Sequence, residues 1–285
     1  MTRYTNYYNL PEPIVSALTQ DWYYSPGRIS VTGLLKSPRQ LQLERRYADR
    51  ITEDVSDRIW LLLGNAVHDV LERADTKNSL QEERLSTEIL GWKVAGRADL
   101  WEEPGILSDF KITSVWAGLN GIKEDWEAQL NMYAYMYKKA GFPVEQIQVV
   151  AILRDWSKGR ARQGGNYPPC AVQVIPGKLW NSDDVMEFMF ERVDLHQKAE
   201  TLPDHELWEC SPEERWEQPA KYAVMKRGRK SAVRLLDSED DALAMIQAKG
   251  TGHYLEVRPG RSVKCEEYCS VSEFCNVSQR LNEVA

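Results

Sequence analysis

An ordered series of polar residues lies between positions 64 and 133 of this 285-residue chain. The residues whose side chains could do chemistry are His68, Asp99, Asp109, Lys111, Gln129 and Tyr133. Carboxylate oxygens are the ligands that Mg²⁺ and Mn²⁺ prefer, and such sites leave positions open for water and phosphate. A cation held in this way lowers the pKa of bound water and stabilises charge on phosphate. The series therefore indicates metal-dependent hydrolysis of a phosphodiester.

Each member of the series has an expected role. Asp109 and Lys111 are two residues apart on a predicted strand, so their side chains point to the same face. Lys111 could position or help deprotonate the attacking water, or neutralise developing charge. His68 would add an imidazole ligand, which suits manganese better than magnesium. Glu88 is a weaker candidate for a further ligand. Taken alone, each of these residues would more often be structural or part of a surface ion pair.

A shared metal requires Asp99 to reach the same face as Asp109 from the preceding strand. Pairing Trp101 with Ile106 would place Asp99 away from Asp109. Pairing Trp101 with Leu107 would instead place the two carboxylates directly opposite each other. The site therefore predicts the second register, or a bulge near the turn.

The elements that must position these residues follow from apolar spacing and from turn residues. Helices are predicted over 38–50, 57–74, 123–140, 179–200 and 237–249. Strands are predicted over 92–101, 106–113, 146–154, 171–175 and 254–257. Gln129 and Tyr133 lie one turn apart on the third helix and would face the site together. The order strand, helix and strand over 106–154 predicts a right-handed crossover between parallel strands.

Composition bounds the class of protein. The length allows one core with appendages, or at most two domains. No apolar run approaches the ~20 residues that span a bilayer, and the N-terminal residues resemble neither a signal nor a transit peptide. Three of the five cysteines fall within eleven residues, which favours metal ligation in a reducing compartment over disulfides. The predicted location is the cytoplasm.

The net charge of −7 does not by itself suggest a nucleic-acid binder. Its distribution is uneven, because residues 221–234 (KYAVMKRGRKSAVR) carry six positive charges and no negative one. These candidate DNA contacts are Lys221, Lys226, Arg227, Arg229, Lys230 and Arg234. Smaller basic groups lie over 154–162 and 39–50. For any single patch, a solvated surface is the alternative interpretation.

The cysteines Cys265, Cys269 and Cys275 lie close together near the C-terminus. Three thiolates need a fourth ligand to complete a four-cysteine site, and Cys210 is our choice. Cys170 is interpreted as a structural thiol. A metal centre here would hold residues 210–275 together as one module.

The motifs GxxxH, GxxD, (D/E)xK and QxxxY, found here at His68, Asp99, Asp109 with Lys111, and Gln129 with Tyr133, resemble those of the PD-(D/E)XK nuclease superfamily. The likeness is to its RecB-like branch, which includes phage-type exonucleases and CRISPR-associated nucleases, and it spans roughly residues 30–155. It implies a restriction-endonuclease-like α/β core, a mixed sheet flanked by helices. It also implies Mg²⁺ or Mn²⁺ held by His68, Asp99 and Asp109, with the remaining matched residues in catalysis.

RecB-like nucleases often carry a C-terminal cysteine group that binds a four-iron, four-sulfur cluster. The resemblance therefore implies such a 4Fe-4S cluster on Cys210, Cys265, Cys269 and Cys275. In many of these proteins the first ligand precedes the nuclease motifs, whereas no cysteine precedes Cys170 here. This departure leaves the fourth ligand open and keeps zinc as an alternative, although zinc sites usually show closer Cys-x2-Cys pairs.

The expected organisation is an N-terminal helical segment over 1–90 that contributes His68, a nuclease core over 91–203, and a cysteine-cluster and basic segment over 204–285. The expected function is a metal-dependent DNA nuclease, an exonuclease rather than an endonuclease, in recombination, repair or CRISPR adaptation. The alternative is a cluster-containing module that binds DNA ends and has a vestigial nuclease site. Partners would be single-stranded or duplex DNA ends and, since no GxxxxGK[ST] motif is present, a helicase or recombination protein. The sequence neither requires nor excludes a homo-oligomer.

Overall fold

The structure is a computed structural model that describes residues 2–19, 25–74, 76–119 and 121–284, with side chains as far as residue 281. The fold is mixed α/β, with helices and several sheets, which confirms the predicted class. Among the described residues, no helix combines the length and the apolar character needed to cross a bilayer.

The elements are numbered along the chain. The strands are β1 Arg3–Thr5, β2 Arg28–Ser30, β3 Thr52–Asp54, β4 Ser79–Gln81, β5 Arg84–Ile89, β6 Trp92–Arg97, β7 Leu100–Glu102, β8 Ile106–Thr113, β9 Gln146–Leu153, β10 Val172–Gly177, β11 Glu217–Gln218, β12 Lys221–Lys226, β13 Arg234–Leu236, β14 His253–Arg258 and β15 Arg261–Ser262. The α-helices are α1 Glu12–Leu18, α2 Val31–Leu35, α3 Pro38–Arg46, α4 Ile59–Glu72, α5 Glu124–Lys139, α6 Lys158–Ala161, α7 Ser182–Thr201, α8 Glu239–Lys249 and α9 Asn276–Val284. Shorter 3₁₀ turns occupy Val55–Arg58, Val115–Gly118 and Ser272–Phe274, and a π-helical turn occupies Lys264–Tyr268.

Two compact units make up the chain. The first contains Met1–Lys36 and Thr52–Thr201, and the second contains Ser37–Ile51 and Leu202–Ala285. This grouping differs from the three predicted segments because α3 belongs to the second unit. The predicted helical segment over 1–90 also contains the five strands β1 to β5. Four of these five have only three residues, too few for an alternating pattern to stand out in the sequence.

The largest sheet of the first unit has the strand order β10–β9–β8–β7–β4. Strands β8 and β9 are parallel and are connected through α5, so the predicted pair of parallel strands is confirmed. The other neighbours in this sheet are antiparallel. Helix α5 contacts β8 and β9, and most of its residues from Trp126 to Tyr137 are buried. Strand β8 therefore lies between β9 and β7 in the sheet and is contacted by α5.

The predicted single strand over 92–101 is wrong, because the structure divides it into β6 and β7. Strand β6 pairs with β2 and β5 in a separate three-stranded sheet, whereas β7 belongs to the five-stranded sheet. Ala98 and Asp99 connect the two and are both buried. The sequence of this segment contains no proline or turn motif at the connection, so its pattern does not show where the hydrogen-bonding partners change.

The second unit is built around an antiparallel sheet of order β13–β12–β14, against which α8 packs. Both α8 and β14 were predicted, within two residues of their observed bounds. Strands β11 and β15 form a separate antiparallel pair. Helix α3 begins with Pro38 as predicted, but Ser37 forms no side-chain capping bond. The Ser37 hydroxyl instead accepts a hydrogen bond from the thiol of Cys210.

Candidate metal centre and cysteine cluster

Two aspartates approach each other where β7 and β8 pair in the first unit. Trp101 pairs with Leu107, which is the register that the site required, and continuing it by one position sets Asp99 opposite Asp109. Both carboxylates are buried. The backbone N–H of Phe110 donates to Asp99 Oδ2 at 2.5 Å. This bond fixes the Asp99 carboxylate against β8.

A cluster of three potential metal ligands forms around the His68 ring. Its Nδ1 atom lies 3.3 Å from Asp99 Oδ1 and 3.4 Å from Glu82 Oε1. One ligand atom from each of these residues lies within 4.8 Å of the other two. Glu82 is also ion-paired with Arg97. One imidazole nitrogen and two carboxylates make a donor set that suits Mn²⁺ and Mg²⁺.

The cluster forms part of the wall of a small cavity of about 90 Å³, beside the rings of His68 and Phe110. A water molecule takes up about 30 Å³ in the liquid, so the cavity has room for an ion and a small number of waters. The hydrogen bond that His68 donates to Asp99 and the carboxylate charges around the ring raise the pKa of His68. Burial, followed by the charge of Asp99, raises the pKa of Glu82. Both shifts favour the protonated forms of His68 and Glu82, with which a cation would compete.

Asp109 lies next to this cluster and is held by residues from β8 and α5. Lys111 Nζ lies 2.7 Å from Asp109 Oδ2. The side-chain amide of Gln129 is 3.2 Å from Asp109 Oδ1 and 3.1 Å from the Tyr133 hydroxyl. Lys111 also donates to Gln129 Oε1 at 3.4 Å. Burial raises the pKa of Asp109, and the positive charge of Lys111 opposes that rise.

The structure thus brings all six residues of the predicted series into one region, as two adjoining groups. The group within 4.8 Å contains His68 and Asp99 but not Asp109. Asp109 is instead paired with Lys111.

Glu82 is the residue that sequence reasoning missed, and Glu88 is the one it wrongly considered. Glu88 is exposed on β5, paired in register with Lys93. Glu82 lies just before β5, and its backbone N–H donates to the carbonyl of Asp99 at 3.2 Å. Its φ of 53° is uncommon for a residue other than glycine. No spacing rule connects position 82 with position 99, so only the folded chain reveals the contact.

Gly96 explains why a glycine precedes Asp99 in this motif. A Cβ atom at Gly96 would collide with the ring of Tyr133 and would lie 2.9 Å from a methyl group of Val31. Glycine therefore allows the Tyr133 ring of α5 to pack directly against β6.

The second unit contains the cysteine cluster. Cys210, Cys265, Cys269 and Cys275 are close enough that a thiolate at one of them disfavours ionisation of another. Burial, followed by the charge of Cys269, raises the pKa of Cys265 to about 11. Burial also raises the pKa of Cys210 and Cys269. Cys170 belongs to the first unit and is exposed, and its thiol donates a hydrogen bond to the carbonyl of Val172 at 2.9 Å.

Two residues at the start of α3 contact this cluster. The Cys210 thiol lies 3.1 Å from the Ser37 hydroxyl. Arg39 is 3% exposed, and its Nη1 atom lies 3.8 Å from the sulfur of Cys275 and 2.8 Å from Asn276 Oδ1. Hydrogen bonds from polar groups stabilise metal-bound thiolates. The Arg39 guanidinium is such a donor for Cys275.

The basic stretch forms β12, the start of β13 and the turn between them. Lys226, Arg227, Arg229, Lys230 and Arg234 are exposed. Lys221 is half-buried and ion-paired with Asp237. Five of the six predicted DNA contacts are therefore accessible on this hairpin.

No family model and no curated protein matches the chain. The crystal structure of SSO0001 is similar, with 19% sequence identity and a TM-score of 0.44 over 65% of this chain and 82% of that one. A putative exonuclease from Eubacterium rectale has 9% identity and a TM-score of 0.32 over 55% of this chain and 61% of that one. Both TM-scores are below 0.5, which is too low to establish a shared fold or activity.

Proposed function

We propose that this chain is a divalent-metal-dependent DNA nuclease of the RecB-like kind, acting from DNA ends. The observation that carries the proposal is the cluster of His68, Glu82 and Asp99 beside the buried pair of Asp109 and Lys111. The carboxylates and the His68 imidazole would hold Mg²⁺ or Mn²⁺. Lys111 lies next to them, where a phosphate would bind. Recombination, repair and CRISPR adaptation are the processes such an activity would serve.

The residues of the site have distinct tasks in this proposal. A bound cation would supply a water of lowered pKa and stabilise charge on the scissile phosphate. Lys111 places a positive charge where negative charge develops and donates a hydrogen bond to the attacking water. Gln129 holds Asp109 and Tyr133 in fixed positions through its side-chain amide. Arg97 holds Glu82 in place through an ion pair.

The test is degradation of linear DNA labelled at its 5′ or 3′ end, single- or double-stranded, with Mg²⁺ or Mn²⁺. We expect the wild type to release label, Asp109→Ala to release none, and Glu88→Gln to match the wild type. Glu88→Gln is the matched control because it removes an exposed carboxylate outside the site. Equal release by wild type and Asp109→Ala would contradict the proposed site. Binding of ends without cleavage would favour the end-binding module.

We also propose a 4Fe-4S cluster on Cys210, Cys265, Cys269 and Cys275, with zinc as the alternative metal. Its support is the placement of four thiols in one unit, where Arg39 donates to Cys275 and Ser37 accepts from Cys210. Protein purified without oxygen should contain iron and sulfide and absorb visible light as such clusters do. Cys269→Ser should lose this absorbance, whereas Cys170→Ser, an exposed cysteine of the other unit, should keep it. Bound zinc without iron would establish the alternative.

The exposed cations of the β12–β13 hairpin are proposed to contact DNA phosphates. Replacing both Arg227 and Arg229 with alanine should weaken DNA binding and reduce its dependence on salt concentration. An unchanged salt dependence would show that these residues form a solvated surface only.

A further inference from the structure

An aromatic ring and a cation are stacked in solvent at the start of α4. The guanidinium carbon of Arg154 lies 4.2 Å from the centre of the Trp60 ring. Trp60 is 56% exposed, and Arg154 is exposed as well. Large aromatic side chains are normally buried to a greater extent. The pair therefore presents an ordered, aromatic surface to water.

The position of this pair relates it to the candidate metal centre within the same unit. Trp60 and His68 are eight residues apart on α4, which is about 12 Å along the helix. The backbone N–H of Arg154 donates to the carbonyl of Thr113 at 2.9 Å. Thr113 is four residues beyond Asp109 on β8, which is about 13 Å along the strand. Helix α4 therefore connects His68 with Trp60. Strand β8 connects Asp109 with Thr113, the hydrogen-bond partner of Arg154.

Further positive charges follow Arg154 along the chain. Lys158, Arg160 and Arg162 on and after α6 are exposed, as is Arg154. In the part of the chain that the structure describes, none of these four cations forms an ion pair. The nearby carboxylate of Asp155 accepts a hydrogen bond from the backbone of Val115 at 2.7 Å. The surface is therefore suited to a polyanion.

A second exposed indole follows Val115. Trp116 lies in a 3₁₀ turn directly after β8 and is 62% exposed. The hydrogen bond between Val115 and Asp155 connects this turn to the residue that follows Arg154. Two exposed indoles and four cations therefore occur where β8 and β9 end.

We propose that Trp60, Trp116, Arg154, Lys158, Arg160 and Arg162 form a binding surface for single-stranded DNA. This inference rests on the proposed nuclease function and specifies its substrate as a single strand. Bases stack on exposed indoles, and arginine and lysine contact the phosphates between them. In a duplex the bases stack on one another, so their faces are not available to Trp60. The strand would extend from this surface along α4 and β8 to the metal ligands.

The test is fluorescence anisotropy of a labelled oligothymidylate and of a labelled duplex with the full chain in EDTA, which prevents cleavage. Trp60→Ala and Arg154→Ala should each weaken single-strand binding about tenfold, the effect typical of losing one stacked base. Trp60→Phe should retain most of the affinity and Trp60→Leu should not, because only phenylalanine keeps an aromatic face. Duplex binding should change little.

Two controls separate stacking from charge and from misfolding. Lys138→Ala removes one exposed positive charge at the end of α5 and should leave single-strand affinity unchanged. The retained affinity of Trp60→Phe, together with an unaltered thermal transition of Trp60→Ala, would show that the variants fold. Competition by polyglutamate as strong as that by oligothymidylate would overturn the proposal, because it would reveal a site for any polyanion.

The outcomes for this surface and for the nuclease are distinguishable. Wild-type protein that cleaves DNA with Mn²⁺, while Trp60→Ala binds the oligonucleotide normally, would overturn the surface and leave the nuclease intact. Equal weakening of single-strand and duplex binding would also overturn it. If the wild type binds the oligonucleotide and Trp60→Ala does not, yet no DNA is cleaved, the surface stands and the nuclease proposal fails.

Discussion

At the scale of single residues, the candidate metal centre places carboxylates where burial disfavours their charge. Asp109 is 2% exposed and Asp99 is 8% exposed. Burying an ionised carboxylate costs free energy unless a counter-charge or hydrogen bonds accompany it. Lys111 and Gln129 supply part of that compensation to Asp109. A divalent cation would supply the remainder, so metal binding and protonation should compete.

The first prediction follows from this competition. In the metal-free protein the pKa of Asp109 is raised to about 6, and that of His68 is also raised. A raised pKa means that the proton stays bound to a higher pH, and a cation must displace it. Affinity for Mn²⁺ should therefore rise as pH increases through about 6, with protons released on binding. Calorimetry in buffers of different ionisation enthalpy measures both effects, and a pH-independent affinity would contradict the assignment.

The second prediction concerns Glu82, which contacts His68 and is ion-paired with Arg97. Glu82→Gln should lower Mn²⁺ affinity at least about tenfold, the scale expected when a metal site loses a supporting group. Glu88→Gln provides the comparison, since Glu88 is exposed on β5. Direct titration with Mn²⁺ tests the difference without any DNA. Equal affinity in the two variants would remove Glu82 from the site.

The sequence predicted most of this site because several of its residues recur at the spacing of a strand or of a helix. Asp109 and Lys111 alternate on one strand, and Gln129 and Tyr133 repeat on one helix, so spacing alone places each pair on a common face. Glu82 has no such relation to its neighbours. It joins the site through a loop that precedes β5, and a contact of this kind depends on tertiary packing.

At the scale of elements, the approach of α5 to β6 decides whether Tyr133 reaches the site. Gly96→Ala should destabilise the fold by about 1–3 kcal/mol, the range for overpacking, because its methyl group would collide with the Tyr133 ring. Gly64→Ala should instead stabilise it by up to about 1 kcal/mol, because a methyl group on α4 there meets no atom within 4 Å. Urea denaturation of both variants measures these changes. The reverse order of stability would contradict the packing described.

Most long elements were predictable, whereas the three-residue strands were not. Helices α4, α5, α7 and α8 and strands β8, β9 and β14 lie within a few residues of their predicted bounds. Each of these elements has enough residues to show a period. Strands of three residues, such as β4, show none, and they form because neighbouring strands offer hydrogen-bond partners. The division of the predicted strand 92–101 has the same cause.

At the scale of the whole molecule, the sequence did not predict that α3 groups with residues 202–285. The connection depends on Arg39, whose side chain donates to the carbonyls of Leu207 and Trp208 and to Asn276. These partners are more than 160 residues away along the chain. Local patterning carries no information about contacts at such separations.

The corresponding prediction is that Arg39→Met destabilises the second unit by about 3 kcal/mol, because carbonyl groups buried against the guanidinium lose their donors. Arg229→Met is the matched control, since Arg229 is an exposed arginine of the same unit. Chemical denaturation followed by circular dichroism compares the two variants. Similar free energies of unfolding for the two variants would show that Arg39 is not needed to hold α3 to residues 202–285.

The measurement that tests the central claim most directly compares wild type with Lys111→Ala in two assays on the same preparations. The assays are release of end label from single-stranded DNA with Mn²⁺, and Mn²⁺ binding. Lysine is not a metal ligand in the proposed site, so its loss should reduce label release at least about a hundredfold, the scale of losing one preorganised charge stabiliser, while Mn²⁺ still binds. Label release by Lys111→Ala at the wild-type rate would contradict the account.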